Sequence, residues 1–413
     1  MFTAKPQKNR GAATTYFDEH LSHNDYYTQG EEQAGYWLGK GAERLGLKEA
    51  GTVSREAFLR LCDNLHPQTG DKLTPLQLAQ RRVFFDFTCS APKSVSILSV
   101  TMQDRRILEA HREASNRAMK ELEAFVATRV RRGGAMEDRA TGELVAAAFR
   151  HTSSRALDPQ LHTHFTIFNA TFDPVEKRWK AVQSSAMYRA IRYGTAVYRN
   201  ELAQRLHALG YRTRKARHGF EIDGVAPELI TRFSKRSRQR NLAVAREEAR
   251  VGRKLTNDEV SNLVHKSRPK KIKDASEREV RAQQLDELGF FEKLGLQRVV
   301  NAARGEAWVP EVADRVGLAE AVRYAQAHVF DRQSVAPEHD LFEAALMKGC
   351  GQLDLAAVKQ AFRRGAEFVR VGNEVSTRAI LEAELRLLRS VDAGQGQARP
   401  LKANYRAPAH FSA

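Results

Sequence analysis

The stretch RHTSSRALDPQLHTHFTIFNATF, residues 150–172, limits the fold more than any other part of the chain. Residues 161–168 (LHTHFTIF) alternate polar and apolar side chains, the pattern of a strand with one buried face. Residues 144–151 (LVAAAFRH) read as a second, apolar strand, and the connection from 152 to 160 is turned by Asp158 and Pro159. A loop that short holds no crossover helix, so the two strands are expected to pair antiparallel. Because side chains alternate between faces, His162 and His164 project the same way, about 7 Å apart along the strand. His151 ends the preceding strand and can return beside them.

Three neutral imidazoles on one face make an open site for a divalent ion whose charge stays uncancelled. Such an ion draws on a phosphoryl or carbonyl oxygen. A His pair alone more often serves structure, and it is the third His that turns the spacing toward metal. Cys62, Cys89 and Cys350 show no CxxC spacing, which excludes a thiolate zinc finger and a disulfide framework and suits a reducing compartment. Any metal is therefore held by His or carboxylate. In residues 83–88 (VFFDFT), Phe85 and Phe87 face one way and Phe84, Asp86 and Thr88 the other. A carboxylate in so apolar a strand needs a partner. Asp86 suits orienting a ligand imidazole or taking a proton from a nucleophile, with an edge-strand Asp facing water as the plain alternative.

The rest of the chain reads in three regions. Up to about residue 200, strands mix with helices, including an amphipathic helix over residues 102–129 that Arg131 to Gly134 break. The expected class is α+β with a central antiparallel sheet. Residues 211–273 carry 18 Lys+Arg against 7 Asp+Glu, so 11 of the 17 excess positive charges lie in 63 residues. This basic helical segment includes Arg232, Lys235, Arg236, Arg238 and Arg240, then Lys270, Lys271 and Lys273. A solvated charged face is the bland reading, and a polyanion clamp the functional one. Residues 307–391 read as helices and 392–413 as a frayed tail. Neither an amino-terminal apolar stretch nor a run of 18 apolar residues occurs. A cytoplasmic protein without membrane insertion is expected.

TTYFDEHLSHNDYYTQG, residues 14–30, places Tyr16, Tyr26 and Tyr27 near the amino end. Tyrosines there usually anchor a core, and a free phenol, with a pKa of about 10, is a poor nucleophile until a base or cation favours the phenolate. Tyr16 and the DYY run, YWLGKGAE at 36–43, DFT at 86–88 with SAPKSVS at 90–96, His151, and DPQLHTH at 158–164 occur in the order seen in conjugative relaxases. Over roughly residues 10–290 the chain closely resembles their MobF class, within the HUH endonuclease superfamily.

The resemblance implies an HUH-type palm, a central antiparallel sheet flanked by helices, followed by a basic helical clamp over residues 211–290 and a small helical C-terminal region. It implies a relaxase domain over 1–290 that nicks single-stranded DNA at a plasmid origin of transfer. Tyr16 would form a 5′-phosphotyrosine, with Tyr26 or its neighbour Tyr27 as second nucleophile when the strand is rejoined. One divalent ion, Mg²⁺ or Mn²⁺ with Zn²⁺ as a further candidate, would sit on His151, His162 and His164, while Asp86 steadies a ligand His and assists Tyr16. Accessory relaxosome proteins and a type IV secretion coupling protein follow as partners. Two departures matter. Phe17 stands where relatives often have a second Tyr, and residues 307–391 resemble only the start of the helicase module that follows the relaxase in relatives. With no GxxxxGK[ST] anywhere, neither ATPase nor helicase activity is expected. An HUH replication initiator and a decayed, non-catalytic origin-binding protein are the related alternatives. A three-His hydrolase of small molecules leaves the basic segment and the tyrosines unexplained.

Overall fold

The computed structural model describes residues 1–7, 11, 14, 17, 35–49, 51–75, 81–217, 219–266 and 277–397. They fall into two units, Met1–Gly317 with Gly349–Leu353, and Leu318–Lys348 with the chain from Asp354 onward.

The first unit contains strands β1 (Phe2–Gln7), β2 (Tyr36–Leu38), β3 (Phe84–Ser90), β4 (Ala127–Arg132), β5 (Ala135–Ala140), β6 (Ala146–Ser153) and β7 (Pro159–Phe168). Five of them form an antiparallel sheet in the order β1-β3-β7-β6-β2, with the ten-residue β7 at its centre. On β7 the odd residues Leu161, Thr163, Phe165 and Ile167 are all buried. That face meets the helices, and His111 of helix Arg105–Glu123 lies 3.0 Å from Thr163 Oγ1. The opposite face is divided along its length. At one end Phe84, Ala147, Phe149 and Phe168 build a second core with Phe17, Trp37 and Phe58. At the other end the same face carries the histidines. The α+β architecture with a central antiparallel sheet and flanking helices is the expected one.

The expected helix over 102–129 is shorter. Asp104 starts it by accepting the Arg106 N–H, and it ends at Glu123. Residues 127–132 are β4, because Thr128 and Val130 alternate inward against exposed Arg129 and Arg131. Gly133 and Gly134, at φ of 56° and 87°, then turn β4 into β5. Short strands β8 (Thr171–Asp173), β9 (Arg178–Lys180) and β10 (Val182–Gln183) follow, with β10 adding to β4, and then the helix Ile191–Ala208.

The basic segment is not helical throughout. It opens as a hairpin of β11 (Thr213–Ala216) and β12 (Gly219–Ile222). The hairpin docks on helix Lys93–Thr101, where Ser94 N–H donates to Glu221 at 2.8 Å and the Ile222 N–H donates to Ser94 Oγ at 2.7 Å. Helices Pro227–Arg232, Lys235–Val251, Asn257–Lys266, Glu277–Asp286 and Phe290–Ala302 follow.

The second unit contains helices Leu318–Val329, Glu338–Lys348, Leu355–Arg364 and Arg378–Gly394. The all-helical expectation missed a small sheet of β13 (Ala336–Pro337), β14 (Phe368–Val371) and β15 (Glu374–Thr377), in the order β13-β15-β14. Gly372, at φ 60°, lets β14 fold back on β15. Of the expected frayed tail, residues 392–394 belong to the last helix, and 398–413 lie outside the described residues. No described helix is long and apolar enough to cross a membrane.

Candidate functional site

Register brings the histidines together. His151 of β6 stands directly opposite His162 of β7, and Phe149 opposite His164. The ring centres of His151 and His162 are 5.3 Å apart, of His151 and His164 5.3 Å, and of His162 and His164 5.0 Å. An imidazole nitrogen bound at about 2.1 Å puts its ring centre about 3.2 Å from the ion, so two rings at a tetrahedral angle stand about 5.2 Å apart. The ring spacing therefore fits a shared divalent ion. The described residues hold no three His, Cys, Asp or Glu donors already grouped for an ion, so closing on one takes a turn of the rings about their side-chain bonds.

The outer nitrogens decide which atoms are left for an ion. His162 Nδ1 is 2.8 Å from Gln160 O, and a carbonyl only accepts, so Nδ1 carries the proton and Nε2 is the nitrogen that could take an ion. Burial, with neighbouring His164 as a second cause, lowers His162 from its ordinary value to about 3. The ring stays neutral, the form that ligates. His164 Nδ1 lies 2.8 Å from Asp86 Oδ1. Asp86 sits diagonally across from it, since β3 pairs Thr88 with His164 and Asp86 with Thr166. Thr88 Oγ1 completes the group, 3.2 Å from His164 Nδ1 and 3.4 Å from Asp86 Oδ1. A carboxylate on the far nitrogen fixes the tautomer and raises the basicity of the other one.

Two further residues support the strands from outside the motif. His111 reaches the odd face of β7, with Nδ1 2.7 Å from Tyr198 Oη and Nε2 3.0 Å from Thr163 Oγ1. It pins the residue between His162 and His164. Lys93 of the SAPKSVS segment donates to Pro159 O at 2.8 Å, holding the start of β7. Thr88 was within reach of the alternation argument, which already put it on the face of Asp86. His111 carried no local signal, because the helical pattern explains it as one more inward position.

The tyrosines Tyr16, Tyr26 and Tyr27 lie outside the described residues. Phe17 does not. It is 4% exposed, with its ring 4.6 Å from Phe58 and 6.1 Å from Phe149, whose cross-strand partner is His164. The residue in sequence next to Tyr16 thus packs on the face that carries the histidines. Its phenyl ring fills an all-aromatic cluster where a hydroxyl would need a partner.

The basic residues divide by use. Arg232 forks onto Glu292 at 2.8 and 2.9 Å. Lys235 Nζ reaches Glu287 at 2.5 Å and Asp158 at 3.4 Å. Both charges are paired with carboxylates of the chain itself. Arg236 is half-buried, and Arg238 and Arg240 are exposed on helix Lys235–Val251, which buries no residue. Lys270, Lys271 and Lys273 lie outside the described residues.

A family model described as TrwC relaxase matches residues 10–289. The chain is 37% identical over 244 residues to the multifunctional conjugation protein TraI of Escherichia coli, and 34% identical over 253 residues to TraI of strain K12. Those matches cover 56% and 58% of this chain but only 13% and 14% of the relatives' length. Among solved structures it is similar to the conjugative relaxase TrwC in complex with oriT DNA. The metal-bound form gives a TM-score of 0.60 at 30% identity, and the copper-bound form 0.61 at 30%, each covering 72% of this chain and 98% of that one. TrwC complexed with a 27-mer DNA that comprises the recognition hairpin and the cleavage site gives 0.59 at 29% identity.

Proposed function

This chain belongs to the TrwC relaxase family, and from that premise we propose that it nicks one DNA strand at an origin of transfer and later rejoins it. The observation that carries the reading is the triangle of His151, His162 and His164, backed by Asp86, on the sheet face where Phe17 packs. Nε2 of His162 and of His164, with the His151 ring, would hold one divalent ion, and the similar TrwC structures bound to metal support this. Bound there, the ion supplies Lewis-acid pull on a phosphate.

The chain's own residues do the rest. The phenolic oxygen of Tyr16 forms a bond to the scissile phosphorus, and the bond from phosphorus to the 3′ oxygen breaks. The phenol proton ends on that oxygen, leaving a 3′-hydroxyl and a 5′-phosphotyrosine. No water enters and the ester energy is kept, so the reverse step needs no nucleotide cofactor. Asp86 holds His164 in its ligating tautomer and assists Tyr16 in giving up its proton. Tyr26 or Tyr27 serves the second transfer. The exposed arginines of helix Lys235–Val251, with Lys270, Lys271 and Lys273, hold the strand in a salt-dependent way. Accessory relaxosome proteins, a type IV secretion coupling protein and a cytoplasmic setting go with the same reading.

Incubation of the protein with an origin-containing single strand and Mg²⁺ or Mn²⁺ should yield a denaturation-resistant protein–DNA adduct. Tyr16→Phe should abolish it, and chelation of the metal should too. A cut strand with an ordinary 5′-phosphate and no adduct would identify a hydrolytic nuclease. Strand binding without scission would mark a non-catalytic origin-binding protein.

A further inference from the structure

The turn that joins the two histidine-bearing strands is gripped from three sides. Lys93 Nζ holds Pro159 O, as above. Gln284 Nε2, from helix Glu277–Asp286, donates to Leu157 O at 2.7 Å. Asp158 itself is 1% exposed. Its Oδ2 accepts the backbone N–H of Lys235 at 2.9 Å, from 77 residues away, and its Oδ1 lies 3.4 Å from Lys235 Nζ.

Lys235 is the first residue of helix Lys235–Val251, whose own flanking Ser234 makes no side-chain cap. Asp158 therefore does across the fold what a capping side chain does locally. It satisfies an orphan N–H and sets a negative charge at the positive end of the helix. The helix buries no residue, so little apolar packing fixes its direction, and its orientation depends on how its ends are held. A carboxylate this buried is costly unless compensated. The helix terminus, Lys235 and the nearby Lys93 supply the compensation. The same turn leads directly into His162 and His164.

We propose that Asp158 is a positioning residue that fixes the cationic helix Lys235–Val251 to the turn between the histidine strands, and so sets where a DNA strand held on that helix passes the metal face. This rests on the reading of the site given above, in that the strand is DNA. Arg238, Arg240 and Arg246 are exposed along the helix. A strand lying on Arg238 and Arg246, which are about 80° apart around the helix axis, takes its direction from the helix, and the helix takes its own from Asp158.

The test uses the full chain with Asp158→Ala and the isosteric Asp158→Asn, which keeps an acceptor for the Lys235 N–H but loses the charge. In Asp158→Ala, amide exchange across residues 235–251 should accelerate while β3, β6 and β7 keep their protection. Affinity for a fluorescent poly-dT strand should fall by about ten-fold, in line with loss of a helix cap. The active fraction, read as the amplitude of single-turnover cutting at saturating origin strand, should stay at the wild-type value. Asp158→Asn should fall between wild type and Ala, and it decides the matter alone if the Ala variant does not fold. Unchanged exchange and affinity would overturn the proposal, and so would a reduced active fraction with unchanged affinity, which marks a merely structural role. A wild-type protein that cuts no strand, with a helix still loosened by Asp158→Ala, sinks the relaxase chemistry and leaves the anchor standing. Normal cutting with variants indistinguishable from wild type sinks the anchor alone.

Discussion

At the scale of single residues, His164 is the side chain with most asked of it. In the proposed function one of its nitrogens is left for an ion, and Asp86 at 2.8 Å with Thr88 at 3.2 Å decides which one. Asp86→Asn keeps the shape but removes the charge that strengthens the ligand. Metal affinity, followed by titration with Co²⁺ or Mn²⁺, is expected to drop by about 10–100-fold. A drop of less than two-fold would mean that Asp86 does not act on His164. Thr88→Val leaves the Asp86 contact in place and should cost much less. The same scale explains why a run of basic residues is not a uniform surface. Arg232 and Lys235 sit at helix ends beside Glu292, Glu287 and Asp158, whereas Arg238 and Arg240 lie farther along the helix and are exposed.

At the scale of elements, the sheet face that carries the histidines depends on aromatic packing to keep β3, β6 and β7 in register. Phe58, from helix Arg55–Cys62, is fully buried, with its ring 4.6 Å from Phe17, 5.1 Å from Phe168, 6.1 Å from Phe84 and 6.2 Å from Phe149. Phe58→Ala opens a cavity at the point where all these strands meet. It should lower unfolding free energy by about 3–5 kcal/mol in denaturant titration. A loss below about 1 kcal/mol would show that the cluster collapses around the gap. The turn from β2 into the short helix Lys40–Arg44 is equally constrained. Gly39 has φ 102°, and a Cβ there would meet the Leu144 carbonyl oxygen, so Gly39→Ala strains the backbone and pushes on the chain just ahead of β6.

At the scale of the whole molecule, buried neutral histidines make stability fall toward acid pH. Burial lowers His207 to about 4, lowers His162 to about 3, and holds His111 well below the ordinary value. For each, the folded form refuses a proton that the unfolded chain accepts near pH 6.5. Stability therefore rises with pH through the window from about 4 to 6.5, at up to about 1.4 kcal/mol per pH unit for each group, and is lost as pH falls through it. His207 offers the cleanest test, since it contacts Thr213 Oγ1 at 2.8 Å and the Trp308 ring at 4.6 Å, away from the candidate metal site. His207→Gln should flatten the fall in melting temperature between pH 7 and pH 5. An unchanged slope would show that His207 carries none of it.

The sequence by itself determined what depends on neighbours in the chain. Alternation in LHTHFTIF set which side chains share a face of β7, and the short turn at Asp158 and Pro159 set the antiparallel return, because a two-residue period and a tight turn act over a few residues. The family motifs added membership of the relaxase family. Local pattern failed where long-range partners decided the outcome. The helix over 102–129 stopped early because residues 127–132 found a strand partner in 135–140, and the basic segment opened as a hairpin because Ser94 offered it a dock. Only the tertiary structure decided that His111 would reach Thr163, that Lys235 would turn its charge inward, and that Asp158 would cap a helix 77 residues ahead. Those contacts join groups whose separation along the chain is large, so their energies appear only once the sheet and helices have fixed the distance between them.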